Sequence, residues 1–431
     1  MTSTLLTGIS ELWTFDPALE DPTGPPVTGT ADGQVARDAA LVIDGEHIAW
    51  TGPRTHAPAA DEQVDLGGRT VLPGWVDSHT HLTFAGDRAA EFQARMAGRA
   101  YAAGGIAVTT AATRVADPEV LADLVRARIT EARRGGTTCL ETKTGYGLTL
   151  ADEAAAAQLL ADLVAAGELD EATFLGAHLV PPEYDGQDGR PGAAEYVHLV
   201  TGPMLQAVRD QVRWADVFCE QGAFDLDQTE TILRAATRAG LGLRVHAHQL
   251  GRSGVVALAC DHQAASVDHL NFLDEADIEA LAATRTRQLR PTPGADATPG
   301  GYAVDQGPTV ATVLPACDLS TRAPLAPARA LLDGGAHLAI ASNCNPGTSY
   351  TSSMSFCVTT AVLQQQLSIA EALRAATRGG ALALRRGDVG HLGLGARADL
   401  HVLDAPAAIH LAYRPGMPLT HAVWRAGRRV V

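Results

Sequence analysis

The sequence predicts an α/β fold: a TIM-like (β/α)8 barrel joined to a small β-sandwich domain built from both termini. Three observations carry that prediction. Eight short apolar, β-rich runs alternate with Ala/Leu/Glu/Arg-rich helical stretches along the middle of the 431 residues, as a covered parallel sheet with helical crossovers requires. Polar, chemistry-bearing side chains stand directly after those runs, where barrels build their sites; a doubly wound open sheet is the structural alternative. Finally, hairpin-like segments lie near both ends, and neither end has enough strands for a core of its own.

Taken in order, the first hairpin covers residues 40–52, where Leu41-Val42-Ile43 and His47-Ile48-Ala49-Trp50 flank a turn at Asp44-Gly45. The barrel strands are expected at 71–78, 137–142, 172–178, 214–219, 242–247, 264–268, 309–314 and 337–342. The closing β segment runs over 398–431, with a second hairpin in Ala422-Val423-Trp424-Arg425-Ala426-Gly427-Arg428-Arg429-Val430-Val431. This assigns residues 1–70 and 386–431 to the small domain and 71–385 to the barrel. Residues 286–308 break the rhythm, because proline and glycine at that density make a loop, expected to be mobile. Lying between the sixth strand's helix and the seventh strand, this insertion belongs on the strand-entry side, away from the chemistry. An interface role is its alternative reading.

The bulk numbers exclude several classes. Apolar residues make up 46% and charged residues 19%, a globular composition. A formal net charge of −16 argues against nucleic acid or an anionic membrane as partner. It leaves room for a small anionic substrate, since one local arginine overrides the global field at contact distance. The six cysteines are scattered without a C-x-x-C pair and read as reduced thiols of a cytoplasmic protein. No apolar run is long enough for a bilayer, and Met1-Thr2-Ser3-Thr4 lacks a basic-then-apolar signal pattern.

The strongest chemical feature is Asp77-Ser78-His79-Thr80-His81 at the end of an apolar run. Side chains at i and i+2 of a strand share a face, so His79 and His81 can offer two imidazole nitrogens to one metal ion. Two buried histidines with ordinary hydrogen bonds would look the same. His246 ends the fifth run and His269 the sixth. Histidine at the same end of three strands is poorly explained by core packing. It fits a catalytic metal site with one open position.

Several stretches carry a family resemblance. They are residues 71–114 with His79-Thr80-His81-Leu82-Thr83-Phe84-Ala85-Gly86-Asp87-Arg88, then Glu141-Thr142-Lys143-Thr144-Gly145-Tyr146-Gly147-Leu148, and Phe174-Leu175-Gly176-Ala177-His178. Asp216-Val217-Phe218-Cys219-Glu220 and Ser342-Asn343-Cys344-Asn345-Pro346-Gly347 continue it. Together they resemble the imidazolonepropionases of the amidohydrolase superfamily over nearly the whole chain, the 286–308 insertion excepted. The resemblance implies a metal-dependent hydrolase barrel that opens the cyclic amide of 4-imidazolone-5-propanoate to N-formimidoyl-L-glutamate, in histidine degradation. It implies one divalent metal, Zn2+ or Fe, and is compatible with a homodimer.

Carried over by residue, the resemblance implies His79, His81 and His246 as metal ligands and Arg88 as the clamp on the substrate carboxylate, a role that suits a guanidinium fork. Tyr146 and His178 would contact the substrate, with Asn345, Gly347 and Thr348 on the far side of its pocket. His269 would transfer a proton or polarise the ring carbonyl. Gln249 can hydrogen-bond a ring N–H or carbonyl but cannot shuttle a proton.

One position departs from the family pattern. Asn343 stands where an aspartate would ligate the metal and take the proton from attacking water. An amide oxygen is at most a weak, neutral ligand and no general base, and losing such a base costs roughly 10²–10⁴-fold. His269 or His248 would then take over the base role. A related cyclic amide or amidine hydrolase, or a catalytically impaired binding homologue, are the alternatives. Cys344, next to Asn343 on a strand, should face the other way.

Overall fold

The computed structural model describes residues 2–19, 35–98, 105–186, 192–291 and 302–431. Strands among these residues form two sheets. The first contains β1 (Ser3–Trp13), β2 (Val35–Asp44), β3 (His47–Pro53) and β4 (Glu62–Pro73). The second contains β5 (Trp75–Asp77), β6 (Thr137–Lys143), β7 (Glu171–Ala177), β8 (Trp214–Cys219), β9 (Gly242–Ala247), β10 (Ser266–His269), β11 (Val310–Val313) and β12 (Leu338–Ile340). The chain then returns to the first sheet through β13 (Leu400–Leu403), β14 (Thr420–Arg425) and β15 (Arg428–Arg429).

The small sheet is mixed, with the order β15-β14-β13-β4-β1-β2-β3. Both termini build it, because β13 pairs antiparallel with β4 and β1 runs parallel to β4. Its buried residues form one cluster in which Leu6, Ile9, Leu41 and Ile43 pack with Leu400, Val402, Ala422 and Trp424. Each expected hairpin turns where expected. Asp44 pairs with His47 across Gly45 at φ 59°, and Ala426-Gly427 carries two left-handed residues at φ 49° and 76°, the twist-compatible geometry for a tight hairpin. Strand β1 and most of β4 go beyond those hairpins.

The expected run 71–78 is divided between the sheets. Its first residues finish β4, and Trp75 opens the barrel strand β5. Gly74 makes the crossing, its N–H donating to Asp399 O at 2.9 Å. A Cβ at Gly74 would overlap the Thr138 side chain, so the change of sheet is tied to glycine.

The eight barrel strands β5 to β12 lie in sequence order and pair in parallel. Closure between β12 and β5 is made just beyond the strands themselves. Asn343 N–H donates to His79 O at 3.0 Å and His81 N–H to Cys344 O at 2.9 Å, with Thr80 and Cys344 forming a parallel bridge. Helices cover the outside. Pro118–Arg134 starts on an Asp117 cap with proline in its first turn, and Leu226–Arg238 starts on the Asp225/Gln228 capping box. No helix among the described residues is long and apolar enough to cross a membrane.

Residues 292–301 of the insertion lie outside the described residues. Its flanks sit at the strand-entry side. Tyr302 donates its N–H to Arg385 O, and a Cβ on Gly242, the first residue of β9, would meet Val304.

Charge ties the small sheet to the barrel floor. Asp170, just before β7, accepts from Arg397 at 2.6 Å and from Arg425 at 3.1 Å, both contributed by the C-terminal segment. Burial opposes ionisation of Asp170, yet Arg397, Arg425 and Arg386 outweigh it and hold the carboxyl well below the usual carboxylate range. The sign follows: folding favours the ionised form, so this contribution is complete above about pH 4, the unfolded value, and is lost as pH falls through the depressed folded value. Asp170→Ala leaves two half-buried guanidinium groups without their shared, buried anion and should cost about 3 kcal/mol in denaturant unfolding at pH 7. A variant as stable as the parent at pH 7 would contradict this role.

Candidate active site

The C-terminal ends of β5, β9 and β10 bring histidines together as the spacing predicts. His79 Nε2 lies 3.2 Å from His81 Nε2, which lies 3.2 Å from His246 Nε2. Their orientation has a definite cause. His79 Nδ1 faces Asp268 Oδ2 at 2.7 Å, and His246 Nδ1 faces Asp216 Oδ1 at 3.0 Å. With a carboxylate at Nδ1, each ring carries its proton there and turns a bare Nε2 lone pair inward. Lone pairs at this separation repel one another unless a cation sits between them.

The residues therefore fit a divalent metal. Two nitrogens each ~2.0–2.1 Å from a tetrahedral ion are about 3.3 Å apart, close to the observed 3.2 Å. Burial, with Lys143 and neighbouring imidazoles, holds His79 and His81 well below the ordinary histidine range, so both are neutral and able to ligate.

Behind the imidazoles stands a buried charge chain. Asp216 Oδ2 contacts Lys143 Nζ at 3.1 Å, and Lys143 contacts Glu141 Oε1 at 2.8 Å. Glu141 also accepts the Thr80 N–H at 3.1 Å, which fixes the backbone between the two N-terminal histidines. On the other side Asp268 accepts from Arg244 at 3.3 Å. Each carboxylate is thus held by a cation as well as by its imidazole.

A cavity opens beside the histidines. His81, His246, His269, Arg88, Tyr146, His178, Gln249, Asn343, Asn345 and Thr348 line it, together with Ile106 and Phe218. Arg88 is buried, and its Nε and Nη2 donate to Glu91 at 2.7 Å each. Nη1 passes over Gly347, where a Cβ would overlap it. Gly347 therefore lies one layer behind Arg88, and its value is the space it leaves. His178 donates from Nδ1 to Gly145 O at 2.8 Å and stacks on His81 at 5.4 Å, 23° between planes. Tyr146 packs edge-on against His178 and Phe84. Burial and the neighbouring His246 push His178 and His269 down to about 3, so both are neutral near pH 7.

Other predicted positions take different parts. Asn345 borders the cavity, but its side chain builds the turn. Nδ2 donates to Asn343 O and Thr348 Oγ1, and Oδ1 accepts from the Gly347 and Thr348 N–H groups. His248 is corrected: its ring turns away to Ser253 and Asp277, because its backbone is left-handed at φ 56° and no longer follows the strand alternation. Cys344 packs into the hydrophobic core, away from the histidines, as expected. Asn343 sits at the barrel seam with φ 50°, a conformation asparagine tolerates. Its Oδ1 is buried and without a hydrogen-bond partner. Asp216, Asp268, Lys143 and Cys317 were not singled out by the sequence. Asp268, next to His269 in the same short run, was the one within reach of inspection.

Parallel strands closed into a barrel, with imidazoles and their carboxylate partners at the strand ends, define a metal-dependent hydrolase of the amidohydrolase class. The profile of the Amidohydrolase family matches residues 93–431. An imidazolonepropionase of Micrococcus luteus is 60% identical over 432 residues, covering 100% of both chains. Another, of Paenarthrobacter aurescens, is 58% identical over 438 residues, covering 100% of this chain and 98% of its own. In fold, the chain is similar to an atrazine chlorohydrolase of Arthrobacter aurescens TC1 complexed with zinc, with TM-score 0.62, 20% identity and coverage of 99% and 95%. The chain belongs to the amidohydrolase family and, within it, to the imidazolonepropionases.

The carboxylate–imidazole pairs make a direct prediction. Asp216→Asn and Asp268→Asn should each weaken metal binding by about 10–100-fold, read by competition with a chromophoric chelator. Unchanged affinity in both variants would show that these pairs do not orient the ligands.

Proposed function

We propose that the chain hydrolyses the cyclic amide of 4-imidazolone-5-propanoate to N-formimidoyl-L-glutamate, a step of histidine degradation. The observation that carries this reading is that one cavity holds Arg88 together with His81 and His246, whose Nε2 atoms cluster with that of His79. The substrate has a matching carboxylate tail and lactam ring. The relatives named imidazolonepropionase, matched end to end, support the same substrate.

His79, His81 and His246 would hold the metal, for which we propose zinc. Nitrogen donors at tetrahedral spacing and the zinc of the atrazine chlorohydrolase structure support that choice. Bound there, the ion supplies Lewis acidity and acidifies its water. The chain's own residues do the rest. Arg88 binds the propionate; Glu91, gripping two of its nitrogens, keeps the fork from rotating. Tyr146 and His178 form the wall beside His81. His178, with Nδ1 committed to Gly145 O, turns Nε2 toward the ring.

His269 is the proton-transfer residue of this reading. It is neutral, and its Nδ1 has no hydrogen-bond partner in the structure. Asn343 offers a neutral oxygen and no base. The six buried free cysteines support a reducing, cytoplasmic location, and the net charge of −16 supports a small molecule rather than nucleic acid as partner.

Turnover of 4-imidazolone-5-propanoate by the metal-loaded protein tests this directly. His269→Gln should lower kcat by roughly 10²–10⁴-fold, and Asn343→Asp should raise it by returning a base. No turnover by either the parent or Asn343→Asp, both metal-loaded, would overturn the substrate assignment.

A further inference from the structure

Gln249 borders the cavity, and both its main chain and its side chain are held by residues outside it. Glu220, directly after β8, is buried, and its Oε1 accepts the Gln249 N–H. The N–H groups of Leu250 and Gly251 also bond to this carboxylate, which burial nonetheless pushes up to about 7. One side chain thus gathers three consecutive amides of the loop that follows His246. At the other end, Gln249 Nε2 donates to Cys317 Sγ at 3.7 Å, a normal reach for sulfur. Cys317 is fully buried at the first turn of the helix after β11, and burial raises its thiol to about 12, so it stays neutral.

An amide whose nitrogen points to Cys317 turns its oxygen the other way. We infer that Glu220 and Cys317 are positioning residues that fix Gln249 as a hydrogen-bond acceptor, so the cavity selects the substrate form with an N–H on that ring edge. This inference rests on the imidazolonepropionase reading for its substrate, but the holding of the loop does not. Without Cys317 the amide is free to rotate and present its NH2 group, which repels a ring N–H. With glutamine at 220 one neutral oxygen replaces two carboxylate oxygens, so the three amides are held less firmly and the Gln249 backbone is less well pinned over the site. Glu220 acts through the Gln249 loop, and the effect of Cys317, which also borders Thr348 and Asn343, is separated from theirs by comparison with Gln249→Ala; the expected loss is in substrate binding.

Two measurements on the metal-loaded protein test it. The first is steady-state kinetics of Cys317→Ala, Cys317→Ser, Gln249→Ala and the Cys317→Ala/Gln249→Ala double variant. Cys317→Ala should raise KM by roughly 3–10-fold, the worth of one hydrogen bond, with kcat and metal content kept. Cys317→Ser, whose hydroxyl can accept from the same amide, should recover most of that loss. The double variant should be no worse than Gln249→Ala alone. Additive losses, a loss in kcat with no change in KM, or a serine that fails to rescue would overturn the role of Cys317. The second is hydrogen exchange without substrate, in which Glu220→Gln should speed exchange at Leu250 and Gly251 while amides of β8 and β9 keep their protection. Unchanged exchange in that loop would overturn the role of Glu220. Because exchange needs no substrate, altered exchange in a protein that fails to turn over imidazolonepropanoate would separate a wrong substrate from a wrong positioning role.

Discussion

Two carboxylate–imidazole hydrogen bonds, Asp268 to His79 and Asp216 to His246, set the direction of everything else in the site. An imidazole has two nitrogens, and which one faces a metal depends on which carries the proton. By holding Nδ1–H, the carboxylates force Nε2 inward, and with His81 that places three donor nitrogens around one point. The arrangement is costly without a cation, because three lone pairs converge in a buried space. Parallel strands make the constraint possible: Asp216 on β8 lies opposite Arg244, two residues before His246 on the same face of β9, and Asp268 on β10 reaches across the barrel to His79. Lys143 and Arg244, both buried, face those carboxylates in turn, and against the effect of burial His246 with Lys143 holds Asp216 well below the usual carboxylate range.

Asn343 is best understood through the same geometry. It occupies the seam where the first and last barrel strands meet, and its N–H on His79 O joins that seam to the first of the clustered histidines. The backbone role is independent of the side chain, so an asparagine preserves closure while removing a charge and a base. Asp77 helps hold the seam, accepting from the Ser342 backbone at 3.0 Å, and burial pushes its carboxyl up to about 7. The structural and chemical duties of this strand end are therefore separable.

Much of this was legible in the sequence because parallel strands are rigid and periodic. The i, i+2 spacing of His79 and His81, and histidine at two further strand ends, announced the cluster of imidazoles before any geometry. The alternation of apolar runs with helical stretches announced the barrel. What stayed hidden depends on contacts across strands or on local backbone handedness. The partnership of Asp216 with His246 spans 30 residues and requires the register of β8 on β9. His248, named as an alternative base, is sent elsewhere by a left-handed turn. Asn345, expected as a substrate contact, borders the cavity, and its amide also builds the turn that places Gly347 under Arg88, a role no spacing marks. The parallel pairing of β1 with β4 joins segments about 60 residues apart, and no local signal marks it.

The central claim is that three imidazoles, two of them aimed by carboxylates, hold one divalent ion. X-ray absorption at the metal edge of the purified protein tests it most directly. The account predicts one ion per chain with a first shell of nitrogen and oxygen, imidazole scatterers at about 2.0–2.1 Å and no sulfur. A sulfur shell, or a metal-free protein that takes up no divalent ion on addition, would contradict it.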